Sequence, residues 1–420
     1  MAAVPYRRRV LDQELDELLS ALPALSLEGI KGVGKTTTAR ARARTVRHLD
    51  DPDVRELLRA DSQRTVTGDA PILLDEWTEW PQSWDLVRHA VDDGAGPGTF
   101  LLTGSATPVA RIHSGAGRII PLRMRPMTLP ERGVTDPTVS LADLLTGTTT
   151  VGGDTDLGLD DLIELICHSG LPGAPQTGGW RATQAFLDGY LARLFDHEVD
   201  TVGAGRRHSV LIRQWATAYA AATATTATYE KLRDAASPGE ADKPARATAA
   251  GYRELLTRLW FLDPLEAWLP TGSPLSRIGQ APKHFLTDPA FAARLLRLTP
   301  DRLHKEAERH AAVIGQLWES LVAMSIRVFA QPQMADVRHL RTQGGEHEID
   351  LIVEGDDGRI VAAEVKLQTP VEAREVRHLM WLRERLGDDR IASLVVITAG
   401  QHAYTRPDGI HIVPLALLGP

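Results

Sequence analysis

The sequence predicts an α/β protein in three parts: a parallel-sheet domain first, a mostly helical middle, and a compact α/β module last. Three observations carry this. Short apolar runs alternate with helical patterns from residue 24 to 107, the pattern of a parallel sheet covered on both faces. Residues 162–300 read as mostly helical. A hairpin at 348–366 is then followed by a helix and two more strands. The expected boundaries are 1–135, 161–300 and 301–420, with a linker over 136–160.

The elements follow in order. Leu11, Leu15, Leu18, Leu19 and Leu22 recur at helical spacing, and Pro23 ends the helix. ALSLEG at 24–29 is a short buried strand entering a glycine loop. Lys35 to Leu49 reads as a helix, with Arg40, Arg44 and Arg47 on one solvated face. PILLDEW at 71–77 and TFLLTGSAT at 99–107 read as strands. Gly, Thr and Asp crowd 133–161, which places the linker there. The middle part holds an Ala/Thr tract at 216–228, read as a packed helix because aromatics flank it, and a polar break, SPGEADKP, at 237–244. A helix at 311–329 precedes the hairpin EIDLIVEGDDGRIVAAEVK at 348–366. A helix at 370–386 and strands at 391–398 and 410–414 complete the chain.

Composition narrows the function classes. With 420 residues the chain is too long for a single hydrophobic core. Net charge is −8, so no global basic excess marks a nucleic-acid coat protein. The one cysteine, Cys167, excludes an internal disulfide and a cysteine-based zinc site, and suits a reducing cytoplasm. The first residues, MAAVPYRRRV, have no apolar stretch behind them and do not read as a signal peptide. No run approaches the ~20 apolar residues of a membrane span, so no membrane partner is expected.

Gly29-Ile30-Lys31-Gly32-Val33-Gly34-Lys35-Thr36 matches G-x-x-x-x-G-K-[ST] in full, with a strand before it and a helix after. Glycines let the backbone N–H groups of such a loop close around a phosphate, and the helix N-terminus adds its positive dipole end. Lys35 would reach the β- and γ-phosphates of ATP, Thr36 would give its hydroxyl to Mg²⁺, and Lys31, Val33 and Thr37 would complete the cradle. Asp75 and Glu76 end an apolar strand, where open α/β sheets place ligands. Asp75 would hold Mg²⁺ and Glu76 would polarise the attacking water. Thr103 or Ser105 would contact the γ-phosphate or that water, and Arg118 would neutralise charge in cis or in trans. Cys167-His168 reads as a buried cysteine beside a surface histidine.

In the C-terminal hairpin, Asp350, Glu364 and Lys366 form D-x13-E-x-K. Glu364 and Lys366 are two apart on a strand and share a face. A turn at Asp356-Asp357-Gly358 brings Asp350 opposite Glu364. The two carboxylates, with Glu319 on the preceding helix, are candidate ligands for a divalent metal, with Lys366 acting beside it on a water.

Together these residues resemble a prokaryotic family of AAA-type ATPases whose C-terminal domain is of unknown function and restriction-endonuclease-like. The P-loop, LLDEW, Thr103-Gly104-Ser105, Gly117-Arg118 through Pro126 to Glu131, and Gly170-Leu171-Pro172 carry the resemblance. The sequence departs from it in the loop, where Ile30 and Lys31 stand for Pro and Arg, and at His197-Glu198-Val199, where Arg-Asp-Ile is usual. The middle part resembles a winged helix, with helices at 209–222, 228–236 and 245–260. Leu255, Leu256 and Leu259 would face the core, while Arg246, Thr248 and Arg253 would face out. Such helices read DNA or serve as protein-contact lids. The resemblance implies ATP and Mg²⁺ as cofactors and a nucleotide-controlled C-terminal module. That module either cleaves or binds nucleic acid, DNA before RNA, or serves protein interaction. A homo-oligomer would let Arg118 act across subunits.

Overall fold

The computed structural model describes residues 6–104, 115–148, 150–175, 178–198, 206–237, 239, 243–269 and 281–420. Helix α1 (Leu11–Ala21) leads into β1 (Ala24–Glu28), α2 (Lys35–Arg40), β2 (Thr45–His48), α3 (Pro52–Ala60), β3 (Ile72–Asp75), α4 (Gln82–Asp92), β4 (Phe100–Gly104) and β5 (Ile120–Arg123). The five strands form a parallel sheet in the order β2-β3-β4-β1-β5. Side chains alternate between its faces as a strand requires. Leu25, Leu27, Leu73 and Leu101 enter one core, whereas Ala24, Ile72, Leu74, Phe100 and Leu102 meet Trp77, Trp80, Trp84 and Val87 on the other side.

Two expectations fail here. The helix expected over 35–49 stops at Arg40, and Thr45–His48 is the edge strand β2, paired with β3. Arg44 and Arg47 therefore do not continue a helical face with Arg40. The arginine-rich run suits a helix by propensity, but the open edge of β3 offers Thr45–His48 a full ladder. The second is the linker. Residues 136–160 contain β6 (Val139–Ser140), α5 (Leu141–Thr146) and β7 (Gly153–Asp154). They strap the C-terminal part: β6 pairs with β14 (Leu418–Gly419), β7 pairs with β12 (His402–Thr405), and Ser393 Oγ donates to the Leu144 carbonyl at 2.8 Å.

The middle part comprises α6 (Leu159–Cys167), α7 (Gly179–Arg193), α8 (Arg206–Ala221), α9 (Tyr229–Ala235), α10 (Arg246–Arg258), α11 (Pro289–Leu295) and α12 (Pro300–Lys305). Leu255, Leu256 and Leu259 are buried as expected, and Arg246 is exposed. Cys167 is buried among apolar side chains, and burial, with Glu164 adding, pushes its thiol up to about 12. The side chains of His197 and Glu198, and Val199 as a whole, lie outside the described residues.

The last part opens with α13 (Ala307–Ala330), about 36 Å long at helical rise. It continues through β8 (Asp336–Arg341), β9 (Glu348–Glu354), β10 (Ile360–Lys366), α14 (Arg377–Leu386), β11 (Ile391–Thr398), β12, β13 (His411–Pro414) and β14. The sheet order is β7-β12-β13-β11-β10-β9-β8. Strands β8 and β12 and the paired ends of the strap were not expected. Extended by its short 3-10 turn to Gln333, α13 is long and apolar enough to cross a membrane, contrary to the expectation that nothing in the chain is. Some 67% of its apolar window is buried in the protein. One apolar cluster runs through all three parts, from Leu27 and Leu101 through Trp215 and Phe291 to Val365 and Ile397.

Because Leu144 of the strap is fully buried in that shared core, Leu144→Ala is expected to destabilise the protein by about 2–5 kcal/mol, read as a lower urea midpoint at unchanged slope. A change below about 0.5 kcal/mol, the scale of surface substitutions, would make the strap peripheral.

Candidate functional site

The strand β1 delivers the chain into the glycine loop at the C-terminal edge of the first sheet. Ile30 and Val33 are fully buried and anchor the loop. A Cβ on Gly29 would stand 2.3 Å from the Met124 carbonyl oxygen, so no other residue fits there without moving backbone. Gly32 and Gly34 adopt φ of +79° and +108°, the left-handed region that favours glycine. Lys35 then opens α2. Its Nζ is buried and donates to the carbonyls of Gly29 at 2.7 Å and Ile30 at 3.1 Å. Burial lowers the Lys35 ammonium to about 8 against the opposing pull of Glu76 and Asp75.

Thr36 Oγ1 donates to Asp75 Oδ1 at 2.7 Å, and Thr103 Oγ1 donates to the same oxygen at 2.5 Å. His48 Nδ1 lies 3.1 Å from Asp75 Oδ2. Glu76 sits at φ +52°, an unfavourable conformation for a non-glycine residue that recurs at functional positions. It lines a cavity of about 540 Å³ with Lys31, Gly32, Gly34, Lys35, Thr36 and Thr37. A hydroxyl and a carboxylate side by side at the mouth of a glycine cradle that holds a buried lysine fit a nucleoside triphosphate with Mg²⁺.

The roof of this cavity is not local. Tyr6, Arg7 and Arg9 come from the N-terminal segment, and Pro172 and Gly173 come from the middle part. Arg9 is held by Glu131 at 2.9 Å and donates to the carbonyls of Val33 at 3.0 Å and Arg125 at 2.7 Å. Tyr190 of α7 donates its hydroxyl to the Lys31 carbonyl at 2.8 Å. Sequence reasoning missed Arg9 and His48: one partners a glutamate far along the chain, and the other stands on the unexpected strand β2.

Arg118 does not serve this site in cis. Ile120 pairs beside Leu25, so Arg118 stands at the edge where β1 begins, whereas the loop follows the other end of β1. There Arg118 Nε pairs with Asp92 at 2.6 Å. Ser105 lies outside the described residues. Arg123, which the sequence did not single out, ends β5 beside Glu28. Its guanidinium lies 3.9 Å from the Trp260 ring centroid, and its Nη1 and Nη2 are buried with no hydrogen-bond partner among the described residues. Burial, with Arg125 and Arg327 adding, lowers it to about 9.

Arg123 also belongs to a second cluster. Arg125 Nε meets Asp263 Oδ2 at 2.8 Å, and Arg327 Nη2 meets Asp263 Oδ1 at 3.1 Å. Burial works to raise the Asp263 carboxyl, but Arg125, Arg327 and Arg123 outweigh it and hold it well below the usual carboxylate range. The end of β5, the middle part and α13 meet at this one carboxylate.

The C-terminal hairpin has the expected register. Ala363 pairs with Leu351, so one further step sets Glu364 beside Asp350. Asp350 Oδ2 accepts from Val365 N at 2.9 Å, and Lys366 Nζ lies 2.7 Å from Glu364 Oε2. The metal set expected from Glu319, Asp350 and Glu364 is corrected, however. The space between the acids holds the ammonium of Lys283, which lies 2.9 Å from Glu319 Oε1, 3.0 Å from Glu348 Oε1 and 2.9 Å from Asp350 Oδ1. No group of three or more metal-ligating side chains is arranged to hold an ion among the described residues. Glu348 was legible, two residues before Asp350 on the same strand face. Lys283 carried no signal.

Comparison with known proteins agrees with the first site. An AAA domain matches residues 22–132. Two domains of unknown function match further stretches, DUF8612 over 159–302 and DUF4143 over 314–418. The chain is 25% identical to the uncharacterized proteins Mb2031c of Mycobacterium bovis and Rv2008c of Mycobacterium tuberculosis, over 97% of this chain and 83% of each relative. Among solved structures it is similar to the Walker-type ATPase PABY2304 of Pyrococcus abyssi, at 14% identity and a TM-score of 0.39 over 70% of this chain and 99% of that one. Residues 22–132, with their P-loop, are an AAA-type ATPase domain that binds and hydrolyses ATP.

Proposed function

We propose that the protein is an ATP-driven switch whose nucleotide state is passed to a restriction-endonuclease-like C-terminal module, which in its resting form binds rather than cleaves. The convergence of Arg125 and Arg327 on Asp263, with the charge of Arg123 nearby, carries this reading. Arg123 lies in register with Glu28, the residue before the phosphate loop. Arg327 shares α13 with Glu319, eight residues or about 12 Å away by helical rise. A change in charge at the loop is thereby felt at a buried junction whose other side leads to the acid cluster. Tyr190 on the Lys31 carbonyl gives the middle part a second hold on the loop.

The middle part is read as a winged-helix-like lid for protein contact. Two of its candidate cations are engaged within the protein: Arg246 pairs with Glu230 at 2.6 Å, and Arg253 stacks over Tyr229 at 4.2 Å. A DNA-reading helix needs uncommitted donors. Arg118, at the far edge of the sheet, acts on nucleotide only in trans, in a homo-oligomer. The gated-nuclease reading is the second one. The assembled Asp350, Glu364 and Lys366 favour it, and it places a nucleic acid, DNA before RNA, at that site.

Three measurements test the scheme. ATP hydrolysis is expected to vanish in Lys35→Ala. Wild type is expected to leave single- and double-stranded DNA and RNA intact with Mg²⁺ or Mn²⁺, with or without ATP; ATP-dependent cleavage that disappears in Asp350→Ala would instead establish the gated nuclease. Adding ATP to wild type is expected to change hydrogen-exchange protection of β9 and β10, and Asp263→Asn is expected to abolish that response while costing about 3–5 kcal/mol of stability, as for a broken buried pair. An unchanged exchange pattern in wild type would sink the switch.

The lowered Lys35 ammonium gives a pH dependence. Phosphate favours its charged form, so its value in the complex lies above about 8, its value in the free protein. ATP affinity is therefore full below pH 8 and falls as pH rises through and beyond it, by about tenfold per unit at most. Isothermal titration in two buffers of different ionisation heat at pH 8.5 should show proton uptake on binding; none would mean that Lys35 is not the titrating group.

A further inference from the structure

The acid cluster of the C-terminal module is built like a cation seat, and the cation comes from elsewhere in the chain. We infer that Lys283 is a tethered cation that stands in place of a divalent metal among Glu319, Glu348 and Asp350, keeping the module metal-free. This deepens the binding-module reading of the C-terminal part and does not depend on the ATPase.

Geometry carries the inference. An ammonium has three protons to donate, and Lys283 Nζ has three carboxylate oxygens at 2.9, 3.0 and 2.9 Å. The Lys283 side chain is 1% exposed, so its ammonium is shielded from bulk solvent. The fourth carboxylate, Glu364, takes its cation from Lys366 through Oε2; its Oε1 is buried and accepts from no described donor. Two further cations stand at the rim, Lys366 Nζ at 3.8 Å from Asp350 Oδ2 and Arg341 Nη1 at 3.5 Å from Glu348 Oε2.

The backbone of Lys283 is fixed. Lys283 N donates to the Leu265 carbonyl and Leu265 N to the Lys283 carbonyl, each at 2.9 Å. The next residue is tied to the middle part, with His284 N on the Thr225 carbonyl at 3.0 Å and Ala224 N on the His284 carbonyl at 2.8 Å. Ahead of it, the Ala281 carbonyl lies 3.0 Å from His339 Nε2 on β8. The lysine is thus delivered by the middle part into the C-terminal sheet and cannot leave without moving that segment. A metal and Lys283 exclude each other because both need the same three oxygens.

The test uses the full chain without nucleotide or nucleic acid, so its failure is distinct from failure of the switch. Bound Mn²⁺ is counted by electron paramagnetic resonance in wild type, Asp350→Asn, Lys283→Ala, Lys283→Met and Lys283→Ala with Asp350→Asn. Wild type is expected to bind no Mn²⁺ that Asp350→Asn removes. Lys283→Ala empties the seat and is expected to bind one ion per chain, at least roughly tenfold tighter than any site in wild type, with a thermal midpoint that rises in Mn²⁺; the double variant loses both effects. Lys283→Met fills the same space without charge and is expected to gain less. Mn²⁺ binding by wild type that Asp350→Asn abolishes would overturn the inference, and this arm stands even where a Lys283 variant fails to fold. A folded Lys283→Ala protein with no new Mn²⁺ site would overturn it equally.

Discussion

Two guanidinium groups on one largely buried carboxylate fix how the parts of this protein sit together. Asp263 is paired with Arg125 from the first domain and Arg327 from the last, with the charge of Arg123 nearby. A buried charge is tolerated only when paired, and breaking such a pair costs more than forming it returns. Apolar surfaces slide and repack at modest cost, but a carboxylate held by arginines of two other elements permits one arrangement. The apolar cluster that runs through all three parts supplies the attraction; Asp263 supplies the register.

The nucleotide cavity depends on that register. Its floor is local, made by the glycine loop and by Glu76 just after β3. Its roof is borrowed from Arg9, Pro172 and Gly173. Arg9 is in turn held by Glu131, which also accepts from Val10 N and Thr128 N at 2.8 Å. Gly170, two residues before Pro172, donates to Asp288 Oδ2 at 2.9 Å at the start of α11. A cavity assembled from three stretches of chain responds as a unit when charge enters it, which is the property a switch requires.

The sequence made local chemistry legible and left distant partnerships hidden. The P-loop was readable because its residues are contiguous and its strand and helix flank it. Asp75 and Glu76 were readable because an apolar strand points at them. The hairpin register followed from the turn at Asp356-Asp357-Gly358. By contrast, β2 was read as helix because Arg40–His48 has no strong strand propensity of its own and acquires its conformation from the edge of β3. The strap was read as linker because Gly, Thr and Asp dominate it, although Val139, Leu141 and Leu144 are fully buried. Arg118 was picked from its place in Gly-Arg-Ile-Ile-Pro, whereas strand direction sets it at the end of the sheet away from the loop. Lys283 escaped notice for a simpler reason: its acidic partners Glu319, Glu348 and Asp350 lie 36 residues or more away in the sequence.

That last omission connects the two buried charge clusters. Asp263, in the middle part, receives its cations from the first and last parts. Of the acids of the last part, Glu319, Glu348 and Asp350 share Lys283 from the middle part, beside the cations Lys366 and Arg341 of their own part. In both clusters a carboxylate that would be costly to bury alone draws a cation from a neighbouring part, so neither cluster is complete until the parts have docked. Such pairs add little to stability compared with apolar residues of equal size, but they make any other docking costly. The same arrangement bears on function. Whatever moves α13 relative to the middle part must act on Arg327 at Asp263 and on Glu319 at Lys283 together, because both lie on one continuous helix. The junction nearest the nucleotide and the seat of the tethered lysine are therefore mechanically one device. A shift at the first that left the second untouched would require α13 to bend between residues 319 and 327, a stretch whose buried residues include Leu321, Val322, Ala323 and Ile326 and which contains no proline or glycine to bend at.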